Sequence, residues 1–109
     1  MLTHDEVLTL LKEDDKYVKI ASMLKLLSNS NRLMILTILS ECPRSVNEIH
    51  ELLSSVSTIS QSSLSQHLAL LRAHKIVNYK KNGQMSTYYI TDERFIQLLA
   101  ALKDIDLVD

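Results

Sequence analysis

Apolar side chains change their spacing several times along the chain, and each change marks an element. From Ser60 to Ala73 the run Ser-Gln-Ser-Ser-Leu-Ser-Gln-His-Leu-Ala-Leu-Leu-Arg-Ala puts Leu64, Leu68 and Leu71 at i, i+4 and i+7, along one side of a helix. Ser62, Ser65, Gln66, Ala69 and Ala73 fall on the opposite side. A solvent-facing helix ordinarily carries Glu and Lys there; this one carries hydroxyl, amide and methyl groups. Such a face can approach base-pair edges and hydrogen-bond to them, where carboxylates would be repelled by phosphate. The same pattern also describes a plain surface helix with a low-charge face, so the flanking stretches have to decide.

Thr3-His-Asp-Glu6 has the form of a capping box and predicts the start of a long helix reaching about Leu27. Its loose apolar stripe is Val7, Leu8, Leu11, Val18, Ala21, Leu24 and Leu27, with the charged Glu13-Asp-Asp-Lys16 between. Ser28-Asn-Ser-Asn31 interrupts the pattern, and Arg32 to Glu41 predicts a second helix, apolar at Leu33, Ile35, Leu36, Ile38 and Leu39. Pro43 stops it, because the residue before proline is pushed out of the helical region. Ser45-Val-Asn-Glu48 is another capping box, opening a short helix with Ile49, Leu52 and Leu53 inward. A polar connection from Ser54 to Ile59, anchored by Val56 and Ile59, leads into the Ser60–Ala73 helix. Two short helices joined by a turn, the second with a polar outer face, are a helix-turn-helix.

Beyond it, Ile76–Lys81 and Met85–Ile90 read as strands around Asn82-Gly83, a strong hairpin signal. With that turn, Val77 and Tyr79 share a face with Tyr88 and Ile90, while Lys80, Lys81, Asn82 and Gln84 occupy the tip. A basic hairpin in this place is a wing, suited to a phosphate backbone or minor groove. Thr91 is the expected cap of a last helix, with Asp92 and Glu93 in its first turn and Phe95, Leu98, Leu99, Leu102 and Ile105 as its stripe.

The expected architecture is therefore mainly α with a small β-hairpin: a winged helix-turn-helix of about five helices and a two-stranded wing, one domain over residues 1–109. Helices at about 3–27 and 92–106 would serve dimerisation, with the helix-turn-helix at about 45–74 and the wing at about 76–90. The two outer helices offer more apolar surface than a small core can cover. Val7, Leu11, Phe95, Leu98, Leu99 and Leu102 are accordingly expected at a homodimer interface, which would set two recognition helices on successive turns of a palindromic site. In the alternative both helices pack within one subunit.

Charge sharpens this picture. The net charge is only −1, yet residues 52–91 contain no carboxylate and carry Arg72, Lys75, Lys80 and Lys81, while both flanking segments are net acidic. That local positive field begins just before the Ser/Gln helix and favours double-stranded DNA as partner. The longest apolar run, Leu33 to Leu39, is interrupted by Thr37 and too short for a membrane span. Asp5 and Glu6 close behind Met1 leave no signal-peptide pattern, and one cysteine makes no internal disulfide; the expected location is the cytoplasm. No glycine loop, Ser/His/Asp set or metal cluster suggests an enzyme or a cofactor. The rival reading is a winged helix whose Ser/Gln face docks on protein.

Leu26-Leu-Ser-Asn-Ser-Asn-Arg-Leu-Met-Ile-Leu36 and Ser60-Gln-Ser-Ser-Leu-Ser-Gln-His-Leu-Ala-Leu-Leu-Arg72 resemble two stretches of the ArsR/SmtB family of winged-helix repressors, dimers that leave operator DNA when an inducer binds. The resemblance covers nearly the whole chain. It implies that Gln61, Ser62, Ser65 and Gln66 approach bases or phosphates and that Arg72, Lys75, Lys80 and Lys81 contact phosphates. His67 matches the family's His, but at the edge of the buried face it suits packing as well as DNA contact. The connection Ser54–Ile59 is longer than the family's usual turn. Where metal-sensing members carry Cys-x-Cys, this chain has Cys42-Pro-Arg44, and Asp92 is followed by Arg94 rather than by Asp-x-His; the later ligand positions fall near Ile105 and Val108. No metal is therefore expected. The residual acidic grouping is His4 and Asp5 with Asp104, Asp106 and Asp109, otherwise a solvated helix end. Cys42 reads as packing and His50 and His74 as surface residues, leaving a small-molecule or redox inducer unidentified.

Overall fold

A computed structural model describes residues 1–107. Thr3 caps helix α1, His4–Leu11: its hydroxyl accepts from Glu6 N while the Glu6 carboxylate accepts from Thr3 N. The helix does not run on to Leu27. It stops at Lys12, and Asp15, at φ 51°, turns the chain through the left-handed region into α2, Lys16–Leu27. A short carboxamide or carboxylate side chain tolerates that region better than most, and three consecutive acidic side chains repel one another in a helix. The expected single helix is thus two. Of its predicted stripe only Leu27 is buried; α2 turns Met23 and Leu26 inward beside it.

Asn29 caps α3, Ser30–Glu41, which supplies Ile35, Leu36 and Leu39 to the centre of the core. After Pro43, Arg44–Ser45 forms β1, a strand the sequence did not announce. The capping box at Ser45 and Glu48 forms as expected and opens α4, Val46–Ser54. Ile49 and Leu53 face inward, whereas Leu52 and Val56 are exposed, correcting their assignment as buried and anchoring residues. Ser60 caps α5, Gln61–Ala73, with Leu64, Leu68 and Leu71 buried.

Strands β2, Val77–Asn82, and β3, Met85–Ile90, pair antiparallel, and β1 adds to the free edge of β3, so the sheet has three strands in the order β1-β3-β2. Asn82 pairs with Met85, which makes the loop Gly83-Gln84 rather than Asn82-Gly83. Gly83 takes φ 64°, the conformation that the first position of a type II′ hairpin demands. The register moves by an even number, so Val77 and Tyr79 still share a face with Tyr88 and Ile90, as expected.

The last helix, α6, spans Glu93–Lys103 and is capped by Asp92, whose Oδ1 accepts from Arg94 N, and not by Thr91. Thr91 instead ties the chain down: its hydroxyl donates to Lys75 O and its N–H to Ile76 O. Ile105 lies beyond the helix and is exposed. Phe95 and Leu99, expected between subunits, are each 1 % exposed within the single chain and belong to its own core; Leu98 and Leu102 pack partly against it. Among the described residues there are six helices where about five were expected.

Candidate nucleic-acid interface

Helix α5 is held by three of its sides. Leu64, Leu68 and Leu71 face the core, where α5 packs against α4 and β2. On one flank, His67 is half-buried, and its imidazole pKa lies below the ordinary value because burial disfavours the charged form, with the Arg32 cation adding to this. On the other flank, the Arg72 guanidinium lies 4.6 Å from the centre of the Tyr79 ring, which packs against Tyr88 at 5.2 Å. The wing is thereby braced to the helix by a cation–π contact. The remaining side is free: Ser62, Ser65, Gln66, Ala69 and Ala73 are all exposed, and Gln61 is exposed at the first turn beside it.

The start of α5 is fixed with equal care. Ser60 Oγ accepts from Ser63 N and lies 3.1 Å from Ser62 Oγ, so the Ser62 hydroxyl is oriented by the cap. In the connection from α4, Val56 N and Ser57 N donate to Leu53 O, Ser57 Oγ donates to Asn31 Oδ1 at 3.0 Å, and Ile59 is buried. His50 Nε2 lies 3.0 Å from Ile59 O, so the side chain read as an isolated surface residue clasps this connection. The longer loop is a pinned structure, and it gives α5 a defined set against α4.

At the far end α5 closes in a Schellman motif: Lys75 N donates to Arg72 O and Ile76 N to Leu71 O, with Lys75 at φ 60°. The left-handed corner turns the chain into the wing and leaves the Lys75 side chain exposed. Lys80 and Lys81 are exposed on β2, with the Lys80 ammonium 5.7 Å from the Tyr89 ring centre. Among the described residues, ion pairs join Lys16 to Glu13, Arg44 to Glu48, Arg94 to Asp92 and Lys103 to Glu41. Among those same residues Arg72, Lys75, Lys80 and Lys81 have no carboxylate partner, so no ion pair neutralises the cations beside the Ser/Gln face. Sequence reasoning missed three supports of this face: the Tyr79 brace, the His50 clasp and the Thr91 tie. Only the first had a signal, in the aromatic residues alternating along the strand that follows Arg72.

Among the described residues no three His, Cys, Asp or Glu side chains come together as metal ligands, so His4, Asp104 and Asp106 do not meet within one chain; Asp109 and Val108 lie outside the described residues. Cys42 is exposed just past the end of α3, not packed. No helix among the described residues is long and apolar enough to cross a membrane.

Comparison with known proteins agrees with this geometry. Residues 27–80, from the end of α2 to the middle of β2, match the helix-turn-helix domain family. The transcriptional activator HlyU of Vibrio cholerae is 40 % identical over 87 residues, covering 77 % of each chain. The crystal structure of the transcriptional repressor BigR from Xylella fastidiosa superposes with a TM-score of 0.78 at 30 % identity, over 99 % of this chain and 100 % of that one. The homodimeric winged helix-turn-helix DNA-binding domain Mb0332 of Mycobacterium bovis, at 23 % identity and a TM-score of 0.64 over 84 % of this chain and 85 % of that one, has the same fold. An exposed, carboxylate-free helix face, an uncompensated basic wing and these relatives lead to one conclusion: the chain is a DNA-binding transcriptional regulator and belongs to the ArsR/SmtB family of winged helix-turn-helix proteins.

Proposed function

We propose that the protein acts in the cytoplasm as a homodimeric repressor, that Gln61, Ser62, Ser65 and Gln66 meet operator bases, and that Arg72, Lys75, Lys80 and Lys81 meet phosphates. The observation that carries this reading is the pairing of an exposed, carboxylate-free α5 face with four unneutralised cations around it. Phosphate contacts give affinity without sequence, and short amides and hydroxyls on the helix supply the sequence. Docking on protein would not require that division of labour.

The dimer is supported by what α1 lacks. It has eight residues and buries none of them within the chain, while helices that short do not persist in water alone. Its Val7, Leu8 and Leu11 are exposed, as are Tyr17, Ile20 and Leu24 of α2, and together they offer apolar surface to a second copy. Of the six residues expected at that interface, Val7 and Leu11 remain assigned to it fully, Leu98 and Leu102 by their open edges, and Phe95 and Leu99 not at all.

Replacing Gln66 with Ala tests the reading. It is expected to cost about 1–3 kcal/mol on duplex DNA from upstream of the protein's own gene and much less on random duplex, measured by fluorescence anisotropy. Equal losses on both would remove Gln66 from base recognition, and salt-independent affinity would remove phosphate binding altogether.

A further inference from the structure

We propose that the cleft between α2, the start of α3 and the outer end of α5 binds a small organic carboxylate, and that its occupation weakens DNA binding; this rests on the repressor reading above. The cleft has a volume of about 400 Å³ and is lined by Ser22, Lys25, Leu26, Arg32, Leu70 and His74. Three of the six carry or accept positive charge and none is acidic. Arg32 is half-buried, and its Nε donates to Leu26 O at 2.8 Å, which fixes the guanidinium plane and leaves both Nη groups available. Neither Arg32 nor Lys25 forms an ion pair among the described residues. A partly desolvated guanidinium without a counter-ion is an incomplete arrangement, and a planar carboxylate completes it through paired charge-assisted hydrogen bonds.

The other walls define the body that such a carboxylate would carry. Leu70, 37 % exposed, is the one large apolar side chain of α5 left open, and with Leu26 it offers a surface to an apolar group. A larger cleft of about 640 Å³ at the base of the wing is a poorer anion site, since Asp92 and Glu93 form part of its wall.

Position connects the cleft to the DNA-reading face. At 100° per residue, Leu70 and His74 lie on the flank of α5 between its buried leucines and Gln66. A ligand held by Lys25 and Arg32 on one side and touching Leu70 and His74 on the other biases the set of α5 against α3, and so the angle at which Ser62 and Gln66 meet bases. On α2, Tyr17, Ile20 and Leu24 stand on a different flank from Ser22 and Lys25, so a second copy seated on that stripe leaves the cleft open.

Benzoate is a suitable probe, with benzamide as its uncharged counterpart and inorganic phosphate as an anion without an apolar body. In NMR titrations of the whole chain, benzoate is expected to shift the His74 ring and Leu70 methyl resonances saturably, with benzamide and phosphate each at least about tenfold weaker, and operator affinity should fall in its presence. Lys25→Ala, a change at an exposed residue, should weaken benzoate about tenfold while leaving benzoate-free DNA affinity and its salt dependence unchanged. Equal binding of benzamide, shifts confined to other residues, or benzoate binding without effect on DNA affinity would each overturn the proposal. So would a flattened salt slope in Lys25→Ala, which would mean that the cation faces phosphate. The benzoate-free DNA titration tests the regulator reading separately, so its failure is distinguishable from failure of the cleft.

Discussion

Lys75 and His67 show two ways in which single residues of the recognition unit trade stability against position. Lys75 holds a left-handed conformation that costs a residue with a Cβ about 1 kcal/mol more than glycine, and it does so at the corner between α5 and the wing. Glycine would form the same Schellman closure with less strain but would carry no charge there. Lys75→Gly is therefore expected to raise the free energy of urea unfolding by about 1 kcal/mol while lowering affinity for all duplexes alike. Loss of stability instead would mean that the lysine side chain, not its backbone, holds the corner. His67 acts through protonation. Its pKa is lowered in the fold by burial first and by Arg32 second, so the unfolded chain takes up this proton at higher pH than the folded one. Its contribution to stability is fully present above about pH 6.5 and is lost as pH falls through the lower folded value. Thermal melts at pH 7.5 and 5.5 should show a drop at the lower pH that His67→Gln diminishes; an unchanged drop would assign it to other groups.

Among the elements, the wing makes the most direct claim on DNA. Strand β2 carries Lys80 and Lys81 exposed, and Tyr79 of the same strand packs against Arg72 of α5, so the wing's cations and the helix's are held by one contact. Replacing Lys80 and Lys81 together with Ala should weaken all sequences and reduce the slope of log affinity against log salt by roughly 1 to 2 units. An unchanged slope would exclude the wing from phosphate contact. Elements of this kind were legible wherever local chemistry was reciprocal: the boxes Thr3/Glu6 and Ser45/Glu48, and the leucine spacing of α5, fix their helices from a few neighbouring residues. What escaped notice depends on distant partners. The two-residue strand β1 exists only because β3 offers an edge to Arg44 and Ser45. His50 reaches a carbonyl nine residues away, and Thr91 caps nothing because Lys75 O is within its reach. The break at Asp15 was visible as a charged stretch, but an apolar stripe that continues on either side looks the same whether the helix is whole or folded at its middle.

At the scale of the molecule, shape itself argues for a partner. The radius of gyration is 16.7 Å and the extents are 56 × 34 × 21 Å, against about 13 Å for a compact chain of this size. The excess length comes with an N-terminal arm whose apolar residues are open, Leu11 at 62 % and Val7 at 42 % exposure. A second copy of the chain would cover that arm and, by two-fold symmetry, present two α5 helices on one face of a duplex, about 34 Å apart for successive major grooves. Each half-site then binds with the other already in place, so losing the dimer costs far more affinity than losing any one contact. Leu8→Lys combined with Leu24→Lys puts two charges in the apolar face without touching the core of the single chain. The variant should sediment as a monomer, keep the helix-turn-helix folded by circular dichroism apart from α1, and bind the palindromic site at least about a hundredfold more weakly while binding one half-site as before. If it remains a dimer with unaltered operator affinity, the two copies meet elsewhere, and the open face of α1 and α2 has another occupant.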